Sequence, residues 1–172
     1  INQYKFLSKN EEDKVIVFKR GKWTIVKPLI IEKGYTLVAK SGVEIVLKNN
    51  GIIYTQDNIL LEGEPEIPIK IKAENGGSGI VVIKANQISN LKNVVFENLT
   101  SPPDNEWGIT SAITFYESPV AIDKCIFTSN NSEDYLNIVR AEFSIANSSF
   151  SNVKSDAIDI DFGLGKITNV KF

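Results

Sequence analysis

The chain has no histidine, a single cysteine (Cys125), and only Arg20 and Arg140 as arginines among its 19 basic residues. Without histidine there is no imidazole base, no commonplace zinc ligand and no Ser-His or Cys-His nucleophile. One cysteine excludes an internal disulfide and leaves too few thiols for a cysteine metal cluster. The scarcity of arginine argues against phosphate recognition by guanidinium forks. A net charge of -2 gives no reason to expect nucleic acid or an anionic membrane as partner. No apolar run approaches the roughly 18 residues that span a bilayer, so membrane insertion is not expected. No signal peptide is visible and the chain opens at Ile1 rather than methionine. A removed leader, or a piece of a longer protein, is the expectation.

What is present is ordinary in amount and unusual in order. With 172 residues, 42% of them hydrophobic and 23% charged, the chain has the composition of one soluble domain. Four segments share a pattern of an apolar residue, four others, then phenylalanine: LKNVVF (91–96), IDKCIF (122–127), IANSSF (145–150) and ITNVKF (167–172). Phe96, Phe127, Phe150 and Phe172 are separated by 31, 23 and 22 residues, and the long interval holds the proline-bearing excursion SPPDNEWG (101–108). A period in the low twenties built of short β-rich units is a solenoid signature. Between the repeats, SAITFY (111–116), YLNIV (135–139) and AIDID (157–161) alternate as half-buried strands do. Residues 30–50, 51–75 and 76–100 read as three earlier coils divided by Ser-Gly, Asn-Gly and Gly-Gly turns.

This arrangement resembles the right-handed parallel β-helix of the pectate-lyase-like superfamily, over roughly residues 22–172. The expected fold is all-β, a solenoid of about six coils, with residues 1–21 as an N-terminal cap whose strand is VIVF (15–18). The resemblance rests on the Phe positions, the strand–turn rhythm and a small polar residue two places after each Phe: Asn98, Ser129 and Asn152. It implies a ladder of turn side chains bonding along the axis, here mixed because Ser129 interrupts it; αL turn residues are the structural reading. The pattern SDAIDIDFG followed by GKI, Asn and Phe also looks like β-helix modules attached to spore-coat-H-like kinase domains of bacterial surface proteins. Both resemblances imply an extracellular or cell-surface location.

The stretch SDAIDIDFG (155–163) carries the question of catalysis. Strand parity puts Ile113 and Phe115, Leu136 and Ile138, and Ile158 and Ile160 inward. Ala112, Thr114 and Tyr116, then Tyr135, Asn137 and Val139, then Ala157, Asp159 and Asp161 are left facing out. A slip of one residue would bury two carboxylates side by side, so the register is determined. Asp159 and Asp161 then lie about 6.5–7 Å apart on one face. That spacing suits paired glycosidase carboxylates or calcium oxygens, and equally any solvated strand face. They are candidate catalytic acids and candidate calcium ligands, with the solvated face as the plainer reading; no other cofactor is expected.

Trp107, with Tyr116, Tyr135 and Asn137 beside it, offers an aromatic and polar platform for a sugar ring, unless Trp107 folds back over the coil's flank. Cys125 falls at an inward position and reads as an inert core thiol. Glu117 and Arg140 occupy the same turn of adjacent coils and are expected to pair, for at most about 1 kcal/mol. Asn98, Asn130 and Asn147 head N-x-S/T sequons. Two functions follow. One is a non-catalytic module presenting a rigid face to polysaccharide or a partner; the other is part of a polysaccharide lyase or glycoside hydrolase. At the C-terminal end, inward Val170 and Phe172 lack a covering layer, so further β-helix coils or another copy of the protein are the expected partners there.

Overall fold

In a computed structural model, residues 4–103 and 108–172 are described. No helix occurs among them, and the strands stack in parallel into a β-solenoid of about seven turns. Each of the first six turns contributes one strand to each of three sheets. The first turn holds β2 (Val15–Phe18), β3 (Gly21–Ile25) and β4 (Leu29–Ile30), preceded by β1 (Leu7–Asn10). The second holds β5 (Thr36–Lys40), β6 (Val43–Lys48) and β7 (Ile53–Thr55); the third, β8 (Ile59–Glu62), β9 (Ile69–Glu74) and β10 (Ile80–Ile83). β11 (Ser89–Lys92), β12 (Val94–Leu99) and β13 (Ser111–Tyr116) form the fourth turn. The fifth comprises β14 (Val120–Asp123), β15 (Ile126–Asn130) and β16 (Asp134–Val139). The sixth comprises β17 (Glu142–Ala146), β18 (Ser149–Ser151) and β19 (Asp156–Asp161), and β20 (Leu164–Thr168) opens the seventh.

The first sheet runs β1-β2-β5-β8-β11-β14-β17-β20, the second β3-β6-β9-β12-β15-β18, and the third β4-β7-β10-β13-β16-β19. The turn count exceeds the expected six because Val15–Phe18, expected as the strand of a cap, already stacks in parallel on β5. β1 folds back antiparallel on β2. Above it Phe6 stacks on Phe18 at 5.9 Å and meets Tyr4 and Trp23, so aromatic surface covers the first turn.

The core is the inward row of each sheet repeated turn after turn. Ile113 pairs with Leu136 and then Ile158, and Phe115 with Ile138 and then Ile160, the register inferred from parity. Phe96, Phe127, Phe150 and Phe172 form a continuous stack, with ring centroids 4.9, 4.4 and 5.7 Å apart. Cys125 is buried in the same core, its thiol donating to the Leu91 carbonyl at 3.4 Å. Burial pushes that thiol up to about 12.

Corners are made by residues in the left-handed region, where asparagine is tolerated best. One series is Asn93, Lys124, Asn147 and Asn169, between the first and second sheets; another is Lys84, Glu117, Arg140 and Phe162, after the third. Their amides turn toward the next rung, as when Glu117 N–H donates to the Val139 carbonyl at 2.8 Å and Arg140 N–H to that of Asp161 at 2.7 Å. Asn98, Ser129 and Asn152 also adopt φ between 52° and 55°, as αL turns require. They form no axial ladder, however. Asn98 and Asn152 are exposed, and the Asn98 amide meets only its neighbour Glu97. The ladder lies one corner away, where Asn169 Nδ2 donates to Asn147 Oδ1 at 2.9 Å and Asn147 Nδ2 to Asp123 Oδ1 at 2.8 Å. Gly79 shows how tightly rungs approach: a Cβ there would sit 1.8 Å from the Ala112 carbonyl oxygen.

Candidate functional site

The acidic candidates occupy the outward face of the third sheet. Thr114, Asn137 and Asp159 form one row across β13, β16 and β19, and Tyr116, Val139 and Asp161 the next. The pairing is as parity requires, but the face is only partly wet. Val81, Thr114 and Asn137 are 1%, 6% and 8% exposed, and only toward the last turn do Asp159 and Asp161 open to solvent.

Asn137 Nδ2 donates to Asp159 Oδ2 at 2.8 Å, while Asn137 Oδ1 is buried without a hydrogen-bond partner. Partial burial, then the neighbouring Asp161 and Asp134 charges, raise the Asp159 carboxyl above its ordinary range. Asp134 is raised too, chiefly by burial, although Thr110 Oγ1 donates to it at 2.8 Å. Asp159 and Asp161 thus stand side by side on one strand, with one Asp159 oxygen already engaged. A glycosidase pair must flank the scissile bond. Among the described residues no three His, Cys, Asp or Glu side chains gather closely enough to hold a metal ion.

Of the expected aromatic platform, Tyr135 is withdrawn from the surface. Tyr135, expected to face out, is fully buried: its ring edge packs on Phe127 at 5.4 Å and Phe150 at 6.2 Å, and its hydroxyl donates to the Thr128 carbonyl at 3.2 Å. It stands where β16 leaves the corner of the second sheet, and there the stacked phenylalanines offer a better apolar contact than water does. Tyr116 is half-buried, and its hydroxyl accepts from Arg140 Nη1 at 3.0 Å. Arg140 also approaches Glu117 at 3.7 Å, the cross-coil pair expected from sequence. Trp107 lies outside the described residues.

A different feature is an open concavity at one corner of the solenoid. A groove of about 830 Å³ follows the corner between the first and second sheets, with Arg20, Lys40, Glu62, Glu64, Lys92 and Lys124 along it. Register explains the sequence of charges. Lys40 stands opposite Glu62, Glu62 opposite Lys92, and Lys92 opposite Asp123 in consecutive rungs, spaced about 4.8 Å apart. A smaller hollow sharing Lys124 extends the groove past Asn147, Ser148 and Asn169 to Lys171. These residues were missed because they are 20 to 30 positions apart in the chain. Their sequence signal is a charged residue recurring at the end of four successive first-sheet strands, β5, β8, β11 and β14.

No family model matches the chain, and no curated protein or solved structure does so either.

Proposed function

We propose that the chain is a non-catalytic extracellular or cell-surface β-helix module whose rigid face binds an extended carbohydrate. The corner groove carries this reading. It is open, runs along the solenoid axis across several turns, and is lined by amides, hydroxyls and charged groups held at rung spacing by the backbone ladders. Such a surface meets a chain of repeating hydroxylated units without reorganising, which keeps the ordering cost of binding low. The side-by-side placement of Asp159 and Asp161, with Asn137 on one of them, supports binding rather than bond cleavage.

The alternative is a portion of a polysaccharide lyase or glycoside hydrolase of the pectate-lyase-like type, for which the raised Asp159 carboxyl is the supporting observation. Incubation with a panel of neutral and acidic polysaccharides separates the two. Retention without unsaturated products or new reducing ends is expected. Turnover that Asp159→Asn abolishes would establish the enzyme instead.

A further inference from the structure

We propose that the outward face of the third sheet, at its last two rungs, binds a primary ammonium group between Asp159, Asp161 and Asn137. The site lies on a different face from the corner groove and stands whether or not that groove holds a glycan.

Two exceptions meet on this face. Among the described residues, Asn137 Oδ1 is the only buried side-chain oxygen or nitrogen without a hydrogen-bond partner, and Asp134 is the only charged residue that is buried, at 4% exposure. Both belong to β16. Asn137 is 8% exposed, and its amide reaches the acids directly, with Nδ2 donating to Asp159 Oδ2 at 2.8 Å. Turning the amide over would set Oδ1 against the carboxylate, so Asp159 itself keeps that acceptor from a partner. Buried acceptors are seldom left so.

The groups around it are acceptors as well. Glu133, Asp134, Asp156, Asp159 and Asp161 stand on adjacent rungs of β16 and β19 or immediately before them. Among the described residues none of the five forms an ion pair, and their side-chain donors are Thr110 to Asp134 and Asn137 to Asp159. Unpaired carboxylates elsewhere, such as Glu12, Glu64 and Glu66, are fully in water. Here the charges are crowded and partly withdrawn from it, and burial, then the Asp161 and Asp134 charges, raise the Asp159 carboxyl. Arg140, at the corner after β16, is engaged elsewhere. Its guanidinium goes to the Tyr116 hydroxyl at 3.0 Å and to Glu117 at 3.7 Å.

What the face lacks is a positively charged donor. An ammonium nitrogen carries three diverging N–H groups and no acceptor. Asp159 and Asp161, about 6.5–7 Å apart along the strand, each supply an oxygen for a charge-assisted bond, and the Asn137 carbonyl supplies the third. A guanidinium fork would take both oxygens of one carboxylate, and Asn137 already holds one of those of Asp159. Val139, half-buried opposite Asp161, gives the adjoining methylene an apolar contact. An amino sugar and a free alkyl amine present this same group.

The test is calorimetric titration of the whole chain with four probes: putrescine, a glucosamine oligomer, the same oligomer fully N-acetylated, and calcium chloride. Putrescine or the free glucosamine oligomer is expected to bind at least tenfold more tightly than the acetylated oligomer, and to weaken as salt rises. Whichever of the two binds more tightly identifies the source of the amine. Asp159→Asn and Asp161→Asn are each expected to weaken it at least tenfold, while Glu142→Gln, on the first sheet, leaves it unchanged. Asp161 is exposed, so its variant tests the site without putting the fold at stake. Affinity should also fall on acidification, as Asp159, raised by burial and by Asp161, Asp134 and Asp156, takes up its proton. Equal binding of the free and acetylated oligomers would overturn the ammonium, as would amine binding that neither aspartate variant alters. Calcium binding that Asp159→Asn abolishes, with no amine bound, would make this a metal site instead. Failure of all four probes would remove the site and leave the corner groove to its own polysaccharide test.

Discussion

The rings of Phe127 and Phe150 lie parallel to within 3°, with centroids 4.4 Å apart, although the residues are 23 positions apart in sequence. The contact is the solenoid in miniature. One turn of chain brings each phenylalanine over the last, and the stack excludes water from the corner where Tyr135 closes it edge-on. Phe127→Ala should open a cavity between Phe96 and Phe150 and cost about 3–5 kcal/mol. A denaturant midpoint shifted by the equivalent of less than about 1 kcal/mol would show that the stack relaxes into the space.

Cys125 should not react while the protein is folded. Its thiol is buried and its pKa is pushed up to about 12 by that burial, so almost no thiolate exists at neutral pH. A disulfide exchange reagent is expected to label it only once denaturant unfolds the chain. Rapid stoichiometric labelling of native protein would contradict the packing.

Acid stability should carry two contributions of opposite sign. Glu74 is held down to about 2 by Lys72 and Lys48, and Glu11 to about 2 by the Tyr35 hydroxyl and Lys9. Both folded values lie below the ordinary 4.5 of a glutamate, so their stabilisation is complete above that pH and is lost as pH falls from about 4.5 toward 2. Glu11 is exposed and Glu74 is open to solvent over about 37% of its side chain, so the effect is modest and shrinks in salt. Glu74→Gln should flatten the acid limb of a plot of Tm against pH. Asp159 works the other way: its folded pKa is raised, the folded state binds its proton more readily, and its contribution improves as pH falls through that value. Asp159→Asn should therefore match or exceed the parent in Tm at pH 7, with the gap closing on acidification. A large loss of stability at pH 7 would show that the Asn137 hydrogen bond outweighs the burial.

The last turn presents Phe162, Leu164 and Phe172 at 86%, 75% and 75% exposure, with β18, β19 and β20 each ending its sheet. Covering a side chain of this size is worth about 1.5–3 kcal/mol, and open strand edges pair readily. The 172-residue chain is expected to associate as its concentration rises. Leu164→Lys with Phe172→Ser should return it to a monomer. A parent that sediments as a monomer across the accessible concentration range would sink this prediction.

Much of the architecture was readable because a solenoid repeats its local rules. The recurring phenylalanines marked the turns. Alternation then fixed the inward rows from Ile113 to Ile160, because the opposite register would have buried Asp159 and Asp161. The inert Cys125 and the Glu117–Arg140 pair followed from the same alignment.

Tertiary structure decided what parity cannot. Parity says which way a side chain leaves its strand, but whether water waits there depends on what the rest of the chain packs over it. Tyr135 and Asn137 leave β16 on the nominally wet side and are nonetheless buried, which takes both out of the sugar platform read from sequence. The corner groove is the converse case. Arg20, Lys92 and Lys124 are unremarkable in a chain with 19 basic residues. Stacking the turns gathers them along one corner, beside the Lys40–Glu62 pair.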